Sequence, residues 1–240
     1  MRHMNKPEFN ALVDLIDPII YNNVLTPKPT YIITSSQDEF FQPDSVNFFF
    51  QDLRGEKYLR LLPGAGHAFH LTFPLTDTLD SVNGFIQMVG SNLRGPRDLN
   101  WRLIKTTSRT QPASIIAVSG TRPKKVVMWS TNTISTTQRD FRLYRCLTAT
   151  GAGCPQALNW TSTEITPQYE SIYTASRTAP AQGWGLFYLE FHYEVTERGR
   201  FGDKYEFTVT SEPNIVPDVI PFPSCETHCG APESHLANPE

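Results

Sequence analysis

An aspartate and a histidine follow two predicted strands at equivalent places in the first third of the chain. Asp38 comes after the apolar, β-branched run 31–34, and His67 comes after the run 57–62. In hydrolysis by a serine nucleophile, a histidine takes the serine proton and gives it to the leaving group, while a carboxylate fixes the histidine tautomer and stabilises the imidazolium. Loops after parallel strands hold such groups at one edge of a sheet. Asp38 and His67 are therefore the candidate catalytic residues.

Plainer interpretations of these residues stay open. An aspartate after a strand is also typical of a turn or a helix cap. His67 ends the glycine-rich segment Pro63–His67, where a histidine can be an ordinary loop residue. His70, three residues further on, can be a second pocket residue or simply polar surface.

The nucleophile of such a triad is missing from the sequence. The motif Gly-x-Ser-x-Gly does not occur. Ser35 and Ser36 stand at the end of the strand that leads to Asp38, so they cannot form the strand–turn–helix elbow that exposes a nucleophile. If the triad interpretation is right, we expect the serine to lie upstream of Met1 and this chain to be inactive alone.

Residues 1–95 predict alternating strands and helices. Apolar runs at 31–34 and 57–62 predict strands, a proline at the first turn predicts a helix with its body at 46–53, and helical spacing of apolar residues predicts a second helix over 75–93. Such alternation favours a parallel sheet covered by helices. Two strands do not make a stable sheet. The missing strands must therefore come from upstream sequence, from another chain, or from the second half of this chain, which begins at about residue 96.

The pattern changes at about residue 96, where short β-branched and aromatic runs separated by turn residues begin. Runs of this kind without a long helical pattern predict an antiparallel β-sandwich. The predicted strands are 100–106, 114–119, 125–130, 141–146, 161–166, 171–174, 185–195 and 204–210. The fold class is therefore α/β plus all-β, with domains at 1–95 and 96–222 and a polar, proline-rich tail at 223–240.

Charge and hydropathy exclude two classes of partner. The net charge is −3 and the sequence pI is about 6.1, which lacks the basic footprint of a nucleic-acid binder. No apolar run reaches the length of a membrane span. We therefore expect neither a nucleic-acid partner nor a membrane span.

Four cysteines occur as two close pairs, Cys146 with Cys154 and Cys225 with Cys229. Two close pairs are compatible with two disulfides. Cys225, His228 and Cys229 could also bind zinc, but a structural zinc site usually needs four ligands. We therefore favour disulfides over free thiols, and both over a metal site, and expect no metal and no cofactor.

Several ordered motifs resemble the PhoPQ-activated pathogenicity-related family, which includes the autocrine proliferation repressor proteins. The resemblance covers residues 16–222. Its motifs are Asp38-Glu39-Phe40-Phe41-x-Pro43-Asp44-Ser45, Gly55-Glu56-Lys57-x-Leu59-Arg60, Pro63 with His67, Val127-x-Trp129, Arg139-Asp140-Phe141-Arg142, Gly183-Trp184, Phe187-Tyr188-Leu189-Glu190 and Val216-Pro217-Asp218.

The resemblance implies the C-terminal portion of an α/β-hydrolase domain followed by a small β-sandwich, with Asp38 and His67 at triad positions. It also implies an exported, extracellular protein. The partner would be a peptide or ester substrate or, in the alternative of a non-catalytic secreted signalling protein, a cell-surface receptor. Gln37 stands where the family usually has glycine, which could alter the backbone of the acid loop because glutamine rarely adopts a positive φ.

Overall fold

The fold comes from a computed structural model that describes residues 6–25, 28–91, 95, 96, 98–147, 153–196 and 204–221. Within these ranges the chain forms a mixed structure of helices and several β-sheets. The tail predicted at 223–240 lies outside the described residues.

The first third of the chain alternates strands and helices as predicted. Strands β1 (Thr30–Ser35) and β2 (Lys57–Leu62) are parallel, with Tyr31 opposite Tyr58. The elements are α1 (Pro7–Ile16), a 3₁₀ turn (Pro18–Tyr21), α2 (Asn22–Leu25), β1 (Thr30–Ser35), a 3₁₀ turn (Pro43–Phe48), β2 (Lys57–Leu62), a 3₁₀ turn (Phe69–Leu71) and α3 (Leu75–Gly90).

The helix predicted after Pro43 is shorter than its sequence pattern indicates. It is a 3₁₀ turn over Pro43–Phe48, followed by turns instead of a helical body at 46–53. Val46 and Phe50 are both buried and pack against Leu59 of β2. One turn therefore buries the apolar residues that suggested a longer helix.

The rest of the chain is built of antiparallel strands. The strands are β3 (Asn100–Ile104), β4 (Ala113–Val118), β5 (Lys125–Asn132), β6 (Tyr144–Leu147), β7 (Gly153–Pro155), β8 (Thr161–Glu164), β9 (Ile172–Arg177), β10 (Gly185–Thr196), β11 (Lys204–Thr210) and β12 (Asn214–Val216). One sheet has the strand order β11–β10–β5–β8, with β12 also paired to β10. A second sheet has the order β3–β4–β9, and β6 and β7 form a small pair.

Strand β10 is buried on both faces along most of its length. Phe187 and Leu189 point into the main apolar cluster, which also contains residues of β4 and β9. Leu186 and Tyr188 point the other way, into a second cluster with Leu61 of β2. Because successive side chains of a strand point to opposite faces, this one strand contributes to both clusters.

The edge of β2 that faces away from β1 is closed by side chains of the second half. The Leu61 N–H donates to the Thr210 hydroxyl oxygen at 3.0 Å, and the Tyr188 hydroxyl donates to the Leu61 carbonyl at 3.4 Å. An unpaired strand edge otherwise leaves its donors and acceptors free. The second half was one possible source of the missing strands. At this edge it supplies hydroxyl groups and no additional strand.

The outer edge of β11 is in turn closed by side chains of β1 and α3. The Tyr31 hydroxyl donates to the Thr208 carbonyl at 2.6 Å, and the Thr208 N–H donates to the Ser81 hydroxyl oxygen at 2.9 Å. Burial raises the pKa of Tyr31 to about 12, so its hydroxyl keeps the proton that it donates. At Gly84, helix α3 approaches β11 so closely that a Cβ atom would lie 2.5 Å from the Glu206 carbonyl oxygen.

No helix among the described residues is long and apolar enough to cross a membrane.

Candidate functional site

Asp38 lies just beyond the carboxyl end of β1, and its side chain is held by its own loop. The carboxylate is 8% exposed, and its Oδ1 atom accepts hydrogen bonds from the Phe40 N–H at 2.7 Å and the Phe41 N–H at 3.0 Å. The aspartate thus forms the turn that its sequence context suggested. The same hydrogen bonds fix the direction of the carboxylate.

His67 lies beyond the carboxyl end of the neighbouring strand β2 and meets the same carboxylate. Its Nδ1 atom is 3.0 Å from Asp38 Oδ2 and 3.2 Å from Oδ1. Its own N–H donates to Glu39 Oε2 at 2.8 Å. The structure therefore brings together the two residues that the sequence singled out, although 28 residues lie between them.

Within the described residues, only one nitrogen of the His67 ring, Nδ1, has a hydrogen-bond partner. A carboxylate accepts hydrogen bonds, so the ring hydrogen belongs on Nδ1 and the lone pair on Nε2. The side chain is half exposed, and Nε2 has no hydrogen-bond partner within the part of the chain that the structure describes. This arrangement can take a proton at Nε2 while the carboxylate stabilises the resulting imidazolium.

Two aromatic side chains border the histidine. The Phe40 ring lies edge-on to the His67 ring with centroids 4.7 Å apart, and the Phe41 ring lies 6.1 Å away. Both phenylalanines are more exposed than buried. They place an apolar surface beside the histidine ring, where another molecule or chain segment can pack.

Glycines let the histidine loop fold tightly over its surroundings. Gly64 has a φ of +71°, which glycine adopts without strain. A Cβ atom on Gly66 would lie 2.8 Å from Leu143 Cδ2. The Gly64 N–H donates to the Ser36 hydroxyl oxygen at 2.8 Å, so Ser36 supports the loop and is not presented as a nucleophile.

The acid loop does not have a positive φ at Gln37, where the family usually has glycine. Asp98 is the one non-glycine residue with a positive φ within the described ranges. Gln37 is buried and its φ is not positive, so a side chain at this position is compatible with the acid loop.

Other candidate residues stay apart from this pair. His70 is exposed, and its ring contacts Phe69. Cys154 is disulfide-bonded, and it lies on β7, whose partner strand β6 carries Cys146. Cys225 and Cys229 lie outside the described residues. Among the described residues, no group of three or more His, Cys, Asp or Glu side chains is placed to hold a metal ion.

A second histidine–carboxylate cluster was not predicted. His192 Nε2 is 3.0 Å from Glu190 Oε1, and His192 Nδ1 is 2.8 Å from Glu206 Oε1. The Trp129 indole N–H also donates to Glu190 Oε1 at 2.9 Å. The alternation Glu190, His192, Glu194 along β10 was the available signal, since residues two apart in a strand share a face.

Comparisons with known proteins agree on one family. The family model of the PhoPQ-activated pathogenicity-related protein matches residues 1–142. Autocrine proliferation repressor protein A of Dictyostelium discoideum is 34% identical over 236 residues, which are 96% of this chain and 46% of that protein. The chain therefore spans about half the length of this curated relative. No solved structure matches.

Proposed function

The chain belongs to the PhoPQ-activated pathogenicity-related protein family, and on that premise we propose that it is the acid- and histidine-bearing part of a secreted serine hydrolase. The observation that carries this proposal is the contact of 3.0 Å between His67 Nδ1 and Asp38 Oδ2. It occurs at the carboxyl ends of two adjacent parallel strands, where hydrolases with a Ser–Asp–His chain order carry these groups.

The proposed mechanism is acyl transfer through a serine ester. His67 Nε2 removes the serine hydroxyl proton as the serine oxygen bonds to the substrate carbonyl carbon, and then gives that proton to the leaving group. Asp38 holds the ring with Nδ1 protonated and stabilises the imidazolium. Water then attacks the ester with the same help from His67, which releases the acid and restores the serine. The substrate is a peptide or an ester.

The serine is proposed to lie in the part of the longer family proteins that this chain does not span. Neither Ser35 nor Ser36 suits the role: Ser35 ends β1, and Ser36 binds the Gly64 N–H. A histidine and a carboxylate without an activated nucleophile perform no acyl transfer. The chain by itself is therefore expected to be inactive.

A serine-directed fluorophosphonate probe tests this proposal. We expect the probe to label a longer protein that includes this chain and to leave the chain alone unlabelled. His67→Ala in the longer protein should slow labelling and ester hydrolysis by at least about 10³-fold, because the general base is lost. His70→Ala is the matched control and should leave both rates unchanged, since His70 does not contact the pair.

Two outcomes would contradict the hydrolase proposal. Labelling of the chain alone would mean that a nucleophile lies within it. Full activity of the His67→Ala protein would mean that His67 is not the base, whatever its geometry.

We further propose how the chain is divided. Residues 1–95 would be the end of an α/β-hydrolase domain and residues 96–222 a β-sandwich. The β3–β4–β9 sheet and the larger sheet share one apolar cluster, which supports the sandwich. The parallel pair β1–β2 with α3 packed beside it supports a hydrolase-type layer.

A second candidate function is extracellular signalling without catalysis. The name of the Dictyostelium relative, a proliferation repressor, favours it, and the disulfide at Cys154 supports an oxidising, extracellular location. In this case a cell-surface receptor would be the partner. Growth of cells treated with the purified chain tests it: equal repression by the chain and by its His67→Ala variant would support signalling, and no repression by either would reject it.

A further inference from the structure

Gln37, the residue before Asp38, joins the acid loop to the histidine loop and to the second half of the chain. Its N–H donates to the Ala65 carbonyl at 2.8 Å. Its carbonyl accepts from the Leu143 N–H at 2.8 Å. Its side-chain Oε1 accepts from the Trp160 indole N–H at 2.9 Å. Because Asp38 is the next residue, these hydrogen bonds fix the position of the backbone that carries the Asp38 carboxylate.

The histidine loop packs on the same two residues of the second half. Leu143 Cδ2 fills the space that a Cβ atom on Gly66 would need, and Trp160 Cδ1 would lie 3.3 Å from a Cβ atom on Gly64. Leu143 and Trp160 therefore contact both loops of the candidate site. A shift of either residue changes the separation between the loops that carry Asp38 and His67.

The amide of Gln37 depends on Trp160 for its orientation. Its Nε2 atom is buried and has no hydrogen-bond partner within the described ranges. The hydrogen bond from Trp160 to Oε1 therefore fixes the orientation of the amide. Trp160 is held in turn by apolar packing, with its ring 6.0 Å from that of Tyr188. Tyr188 lies on β10 in the centre of the second half.

We propose that Gln37 and Trp160 are positioning residues for the contact between Asp38 and His67. The inference rests on the proposed function, because it assigns a role at the same site. Catalytic groups must be held close to their productive geometry, and a displacement of about 1 Å can lower a rate by about 100-fold. The second half of the chain thus takes part in the site through Trp160, although it supplies neither the acid nor the histidine.

The tautomer of His67 reports this positioning directly. When Asp38 accepts from Nδ1, the neutral ring carries its hydrogen there, whereas release of that bond lets the hydrogen move to Nε2. Long-range ¹H–¹⁵N NMR spectra of the 240-residue chain, recorded where histidines are neutral, distinguish the two forms. A role limited to general stability would not change this readout.

The variants are Trp160→Phe, which removes the indole N–H and keeps an aromatic ring, and Gln37→Ala, which keeps the backbone bonds. We expect each to lower the Nδ1–H population of His67 by about half, and the double variant to add little, since both remove the same bond. Trp129→Phe is the matched control, because it removes an indole donor from Glu190, away from the pair. It should leave the His67 tautomer unchanged.

Asp38→Asn separates failure of this inference from failure of the proposed function. If Asp38→Asn changes the His67 tautomer but Trp160→Phe and Gln37→Ala do not, the positioning role is wrong and the acid–histidine pair stands. If Asp38→Asn also leaves the tautomer unchanged, the pair itself is wrong. A change in the Trp129→Phe variant equal to that in Trp160→Phe would show a nonspecific effect and overturn the inference.

Discussion

His67 and His192 both contact carboxylates, but they differ in how many of their ring nitrogens are hydrogen-bonded. His67 is half exposed and binds Asp38 through one ring nitrogen, whereas His192 is 17% exposed and has a carboxylate at each nitrogen. A general base needs an accessible lone pair, which the first ring has and the second lacks. The geometry therefore separates a histidine suited to proton transfer from one suited to joining strands, although both have acidic neighbours.

The largest expected effect concerns the buried partner of His192. Glu190→Ala leaves the His192 ring and the Trp129 indole without their shared acceptor, and should lower the free energy of unfolding by about 2–3 kcal/mol. Glu206→Ala removes the other carboxylate, which is 44% exposed, and should cost less than about 1 kcal/mol. Urea unfolding of both variants measures the difference. Equal losses would show that burial does not distinguish the two carboxylates.

A smaller effect should appear in chemical reactivity. Diethyl pyrocarbonate attacks the free lone pair of a neutral imidazole, so His67 should be modified at least about tenfold faster than His192. Peptide mass spectrometry after brief treatment locates the modified histidines, and exposed His70 serves as the internal standard. If His192 reacts as fast as His67, its two contacts do not persist in solution.

The smallest effect is in the pH dependence of stability. Burial lowers the pKa of His192, but hydrogen bonds and negative charges from Glu190 and Glu206 outweigh burial and raise it above the ordinary value of 6.5. A histidine with a raised folded pKa adds stability that is fully present below the unfolded pKa and is lost as pH rises through the folded value.

His192→Gln should therefore remove a loss of stability that the unmodified chain shows as pH rises above 6.5. Denaturant unfolding at several pH values on either side of that point measures this slope. A slope that is unchanged by His192→Gln would assign the pH dependence to another group.

Local sequence patterns predicted the elements that carry the acid and the histidine. The run 57–62 matches the bounds of β2, because apolar and β-branched residues between turn residues define a buried strand. Asp38 and His67 each follow a predicted strand, and this position predicted that they would meet, since loops after parallel strands lie at one edge of a sheet. The two faces of β10 also follow from alternation along the strand.

Contacts between remote segments could not be predicted in the same way. Trp160 donates a hydrogen bond to Gln37, which lies 123 positions away in the sequence. Tyr31 donates one to Thr208, which lies 177 positions away. Such contacts depend on where whole elements pack, and they leave no periodic signal in either segment. The short strand β12 was missed for a related reason, because Asn214–Val216 is too brief to show alternation.

Ester hydrolysis by a longer family protein that contains this chain tests the roles of Asp38 and His67 most directly, with His67→Ala compared with His192→Ala. We expect His67→Ala to abolish hydrolysis, and His192→Ala to lower stability but keep the rate per folded molecule. Retained hydrolysis in the His67→Ala protein, at equal folded concentration, would contradict the assignment of Asp38 and His67 as the acid–base pair.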